Sequence, residues 1–179
     1  MDFKRSLENS VDISAKRLRL NSQQFQKSNK NMPELIIDQT EDKETSVEFT
    51  ITSIGNESDK RMDYMNYACI NGHLAIVTGL LKNGFDVYSR DGSNDTALHH
   101  AAANGKVEIV KKLLENGASP YLANIFHFNP IHLASLNGHD QVIKEFVNHK
   151  VFLNFETNSG ETSLELAAIN GHLEHTSAS

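Results

Sequence analysis

Apolar positions along this chain fall into two regimes. Over residues 1–59 they are sparse and without sustained helical period, amid Ser, Asn, Gln, Lys and Glu. Such a segment buries too little to offset the entropy of ordering, so it is expected to be a disordered tail. Two short apolar bursts interrupt it, Leu35-Ile36-Ile37 and the alternation Val47, Phe49, Ile51, each too short to stand as a strand by itself. From about residue 60 a helical rhythm sets in. Leu98, Ala101 and Ala102 share one helical face, and Gly105 ends that helix because glycine takes the left-handed closing conformation at little cost. A second helix carries Val107, Ile109, Val110, Leu113 and Leu114 at helical spacing, and Asn116-Gly117 closes it.

The rhythm itself repeats. Asn71-Gly72, Asn104-Gly105, Asn137-Gly138 and Asn170-Gly171 stand 33 residues apart, and Ala68, Ala101, Ala134 and Ala167 keep the same step. So do Ile76-Val77, Ile109-Val110 and Val142-Ile143, followed by Leu80-Leu81, Leu113-Leu114 and Phe146-Val147. A fixed period of this length, with alanine where helices must approach closely, predicts an all-α solenoid. One helix pair cannot bury its apolar face alone, and stacked pairs make a continuous core.

The run Thr96-Ala97-Leu98-His99-His100-Ala101-Ala102 through Asn104-Gly105, then Val107-Glu108-Ile109-Val110 and Leu113-Leu114 through Asn116-Gly117-Ala118, resembles the ankyrin repeat. The resemblance covers residues 60–175, with repeats at 62–94, 95–127 and 128–160 and an incomplete one at 161–175. It implies about three and a half helix-turn-helix units with projecting hairpin loops, and partners bound on the concave face. Departures from the pattern are as informative. Asp63, Tyr64 and Asn66 stand where Thr, Pro and His are expected, so the first repeat reads as a divergent cap. Only Pro130 keeps the proline position, and Lys150 replaces the glycine that closes a second helix, which puts that turn's geometry in question. The fourth repeat reaches Ser179 without its second helix. A fragment or truncated form is therefore expected, with the Val142 and Phe146 flank under-covered and the chain monomeric unless that incomplete cap drives association.

Charge is distributed unevenly. Residues 1–30 carry seven Lys/Arg against three Asp/Glu, residues 31–60 two against eight, and residues 61–179 eight against twelve. Basic start, acidic linker and mildly acidic domain follow in that order, within a net charge of −6. Cys69 is the single cysteine, so no intramolecular disulfide supports the core. No apolar run approaches the ~20 residues of a membrane span, and the start lacks the apolar core of a secretory signal. An intracellular protein that spans no membrane is expected.

Little in the sequence points to catalysis. His99 and His132 lie one repeat apart. Zinc needs ligands ~2.0–2.1 Å from one centre, whereas packed helices lie 8–10 Å apart. Each ring is therefore expected to bond backbone at a hairpin base and not to bind metal. His172 and His175 share a helix face without further ligands, and Cys69 has no basic neighbour one turn away to activate it. No phosphate-binding loop, nucleophile elbow, dinucleotide fingerprint or zinc-protease motif occurs. Neither an enzymatic activity nor a cofactor or metal is expected.

Binding residues are easier to nominate. The hairpin tips are read at 89–94, 122–127 and 155–160, and the middle one is apolar where its neighbours are polar. Phe126, Ile125, His127, Tyr88, Arg90 and Tyr121 are the contact candidates for a protein partner. Tyr88 and Tyr121 are expected to stack as a short aromatic row, and either Ile125 or Phe128 to fold beneath the loop. In the tail, Lys4-Arg5 and Lys16-Arg17-Leu18-Arg19, ten residues apart, resemble a bipartite nuclear-import signal for an import receptor. Seven dispersed positive charges with few aromatics do not suit specific nucleic-acid binding. Leu35, Ile36, Ile37 and Asp38, followed by further acids, resemble a SUMO-interaction segment that adds a strand to a sheet edge. The expectation is a nuclear adaptor acting on transcription or chromatin factors. The alternative is a cytoplasmic scaffold or the substrate-recognition subunit of an assembly such as a ubiquitin ligase.

Overall fold

The computed structural model describes residues 58–170. Among them are seven helices: α1 (Ser58–Asn71), α2 (Leu74–Lys82), α3 (Ala97–Ala103), α4 (Val107–Glu115), α5 (Pro130–Leu136), α6 (Asp140–Asn148) and α7 (Ser163–Ile169). Their only bridge partners are Glu156 and Thr162, so the all-α expectation holds for the described residues. Helices α1, α3, α5 and α7 stack in one row, α2, α4 and α6 in a second, and each pair is joined antiparallel. Sequence register becomes spatial register: residues 33 apart lie on neighbouring layers.

Alanine makes this spacing possible. Ala68, Ala101, Ala102 and Ala134 are fully buried between inner helices, while Ile76, Leu80, Ile109, Leu113, Val142 and Phe146 fill the space between the rows. A fully buried Leu or Phe of this kind is worth about 1.5–3 kcal/mol of transfer free energy. Cys69 belongs to this core, and burial pushes its thiol up, so it is inert packing. Pro130 opens α5 at a position where no backbone donor is lost.

Gly105 is a turn glycine whose replacement the structure resists on two counts. Its φ is +66°, and a Cβ there would meet Nδ1 of His139 at 2.7 Å. His139 sits that close because its Nε2 bonds the Ala103 carbonyl at 3.0 Å, joining the third repeat to the end of α3.

Two expectations about the third repeat are corrected. Lys150 keeps the turn it was expected to disturb: it adopts φ 56°, and Val151 N donates to Phe146 O at 3.0 Å. Phe85 to Leu80 and Ala118 to Leu113 make the same bond at the glycine-closed turns. Val142 and Phe146 are not under-covered; both are fully buried, because α6 lays that face against α4 and α5. Exposed apolar surface at this end belongs instead to Val147, Phe152 and Leu164, with Phe152 75% exposed.

Candidate functional site

Each hairpin tip is a tight turn built by the side chain that opens it. Asp91 Oδ1 accepts from the amides of Ser93 (2.8 Å) and Asp95 (3.0 Å). One repeat later Asn124 Oδ1 accepts from those of Phe126 (3.0 Å) and Phe128 (3.1 Å), and Thr157 Oγ1 accepts from Glu161 N at 3.2 Å. Asp and Asn favour such turns because the short side chain caps amides two and four residues on. The fourth residue of each turn takes positive φ: Asn94 59°, His127 62°, Gly160 86°.

Tips are also bonded to one another. Ile125 N donates to Ser93 O at 3.0 Å, Asn124 Nδ2 to Asp95 Oδ1 at 2.8 Å, and Arg90 Nη1 to Ala123 O at 3.1 Å. Tyr88 donates its hydroxyl to Gly117 O at 3.0 Å, and Tyr121 Oη accepts from Phe152 N at 3.3 Å. The expected Tyr88–Tyr121 row does not form. The tyrosines reach along the stack instead, and the Tyr121 ring packs on Phe155, 4.9 Å between centroids.

Beneath the tips, buried histidines tie hairpins to helices. His99 Nδ1 accepts from Thr96 N at 3.0 Å and Nε2 donates to Phe128 O at 3.2 Å; His132 Nδ1 accepts from Asn129 N at 3.3 Å and Nε2 donates to Phe155 O at 2.7 Å. Both are structural, as the spacing argument required. Burial, with His100 adding charge repulsion, drives the His99 pKa down to about 3; burial lowers that of His132. Both rings are therefore neutral near pH 7.

The nominated contact residues separate by exposure. Ile125 is 50% exposed and Tyr88 55%, while Tyr121, Arg90 and His127 are also exposed. Phe126 is half-buried, and Phe128 is the residue that folds beneath the loop. Ile125, Phe126 and His127 share the middle tip, with Arg90 tied to the same loop through Ala123; Tyr88 and Tyr121 lie at the hairpin bases. The tail residues Lys4, Arg5, Lys16, Arg17, Arg19, Leu35, Ile36, Ile37 and Asp38 lie outside the described residues, as do His172 and His175.

A second constellation escaped the sequence reading. Asp91, Asp95 and His100 bring one donor atom each within 4.8 Å of one another, and His100 Nε2 lies 2.8 Å from Asp91 Oδ2. Burial raises the Asp91 carboxyl, but the His100 bond and charge and the Ser93 and Asp95 amides outweigh it and leave it low. Burial raises Asp95, and the Asp91 charge adds to that. Its signal in sequence was faint, because the acids lie on a loop and the histidine on a helix.

A family model described as ankyrin repeats in three copies matches residues 35–124 and 119–177. The chain belongs to the ankyrin-repeat family. Comparison with curated proteins finds no match. Ankyrin repeats are generally protein–protein interaction modules, typically without chemistry of their own, and suggest a protein partner here. Among the described residues no helix is long and apolar enough to cross a membrane.

Proposed function

We propose that this ankyrin-repeat chain is a nuclear adaptor that grips a protein partner with its hairpin tips and the adjoining inner helices. The observation that carries the reading is Ile125. A half-exposed isoleucine stands on a tip whose backbone is held by Asn124 from within and by Ser93 from the neighbouring hairpin. Apolar surface on a rigid mount loses little entropy when it is covered, which is what an interface anchor requires. Tyr88 and Tyr121 flank it, their hydroxyls fixed by Gly117 and Phe152, so their exposed ring faces are likewise pre-oriented.

The basic clusters at Lys4-Arg5 and Lys16–Arg19 supply nuclear entry, and a transcription or chromatin factor is the partner class that location favours. A fluorescent fusion is expected to concentrate in nuclei and to spread through the cell when residues 1–30 are removed. Unchanged distribution of the shortened fusion would leave the adaptor reading standing and remove the nuclear part.

A further inference from the structure

We infer that the face presented by α6, α7 and the segment between them is a self-association surface. Two copies of this chain close on it as a symmetric dimer, α7 of each lying against α6 of the other. Comparison of equivalent positions in successive layers supplies the observation. Leu98 on α3 and Ile131 on α5 hold one register position and are fully buried, whereas Leu164 holds it on α7 and is 63% exposed. Ala102 and Ser135 are buried, and Ala168, next in that series, is exposed. On the outer row Leu81 and Leu114 are half-buried while Val147 is exposed. Val87 and Pro120 are buried, and their equivalent Leu153 is only partly so. Phe152 adds to the face: it stands in register with Asp86 and Ser119, and no other large apolar side chain among the described residues is as exposed.

Backbone bonds gather these side chains at one end. Ser163 Oγ donates to Leu153 O at 2.5 Å, joining the start of α7 to the segment that carries Phe152. Val151 N donates to Phe146 O, which holds the same segment against the end of α6 beside Val147. The Phe152 amide is itself fixed by Tyr121 Oη. Apolar side chains on so rigid a mount lose little entropy when covered. Their equivalents elsewhere are covered by neighbouring helices of the stack, so a helical layer is the complement this face fits.

The sequence beyond α7 does not bring that layer. His175, Thr176 and Ser179 stand in register with Ile109, Val110 and Leu113 on α4 and with Val142, Ile143 and Phe146 on α6. Polar residues at these positions leave no apolar stripe to lay on Leu164 and Val147. The opposite end of the stack is no match either. Among the described residues, Leu74 is the one large apolar side chain that α1 and α2 expose, so head-to-tail growth lacks a second patch. The same patch on a second copy fits, and an isologous contact closes at two chains. Charge agrees with this arrangement. Exposed Lys150 borders Val147 and Phe152, and exposed Glu165 borders Leu164. Laying α7 of one copy on α6 of the other brings each Glu165 toward Lys150 of the second copy.

The test is sedimentation velocity of the full-length chain across a wide range of concentration, with circular dichroism alongside. A reversible monomer–dimer equilibrium is expected. Leu164→Asp and Phe152→Ser should each weaken the dimer at least tenfold and keep the helical spectrum, since both side chains are exposed in the single chain. Ile125→Asp, on the tip assigned to partner binding, should dimerise as the wild type does, so that failure here and failure of the adaptor reading are told apart. A wild type that stays monomeric at every concentration, an undiminished dimer in Leu164→Asp or Phe152→Ser, loss with Ile125→Asp alone, or growth beyond two copies overturns the inference.

Discussion

His99 carries more of this fold than its single position suggests. One neutral ring satisfies the amide that opens its own helix and the carbonyl of the next hairpin, and His132 repeats the arrangement. The sequence revealed this in part. The 33-residue spacing excluded shared metal ligation and pointed to backbone bonding, but could not say that Phe128 and Phe155 supply the carbonyls, since tertiary contact decides that. The cost appears in acid. An unfolded histidine titrates near 6.5, and folded His99 only near 3. The unfolded state therefore binds more protons throughout that window, and this contribution is fully present above pH 6.5 and declines as pH falls toward 3. At pH 5 the loss from His99 is about 2 kcal/mol, with His132 acting in the same direction. Urea midpoints at pH 7.5 and pH 5 should show the decline, and His99→Gln, though less stable throughout, should depend less on pH. Equal pH slopes for the two proteins would refute the neutral-ring account.

Helices and their ends were the most legible elements, because apolar spacing and Asn-Gly pairs record local geometry directly. Gly105 illustrates the strength of that record: both its backbone angle and the His139 ring require glycine. Lys150 shows its limit. The expectation that a missing glycine alters the turn overlooked that the buried face of α6 and the bond from Val151 to Phe146 fix the backbone, leaving a lysine to adopt a left-handed φ of 56°. That conformation costs a non-glycine residue roughly 1–2 kcal/mol. Lys150→Gly should accordingly stabilise the domain by about 1 kcal/mol, the gain being offset in part by greater freedom of the unfolded chain. Chemical denaturation would show it as a higher midpoint with unchanged slope, and a lower midpoint would count against strain at this turn. The Asp91, Asp95 and His100 cluster was illegible for a different reason. Its members come from a turn and a helix, so no local spacing announces it.

At the scale of the whole described molecule, two helix rows form a stiff back and the bonded tips form a front. The exposed side chains Tyr88, Tyr121 and Ile125 belong to that front, whereas the outer row presents the charged Lys111 and Glu115 on α4 beside the exposed Leu74 on α2 and Val147 on α6. The protein-binding reading rests on Ile125 at this front, and that specifies where binding should fail. The most direct measurement compares proteins captured from nuclear extract by the full-length chain and by two variants of unchanged helicity, Ile125→Asp on the front and Lys111→Glu on the outer row. Buried apolar anchors dominate interfaces, with losses of 2 kcal/mol or more on truncation, while rim charges contribute little. The account predicts a partner retained by wild type and Lys111→Glu and depleted at least tenfold by Ile125→Asp. Equal capture by all three proteins, or loss with Lys111→Glu alone, would contradict it.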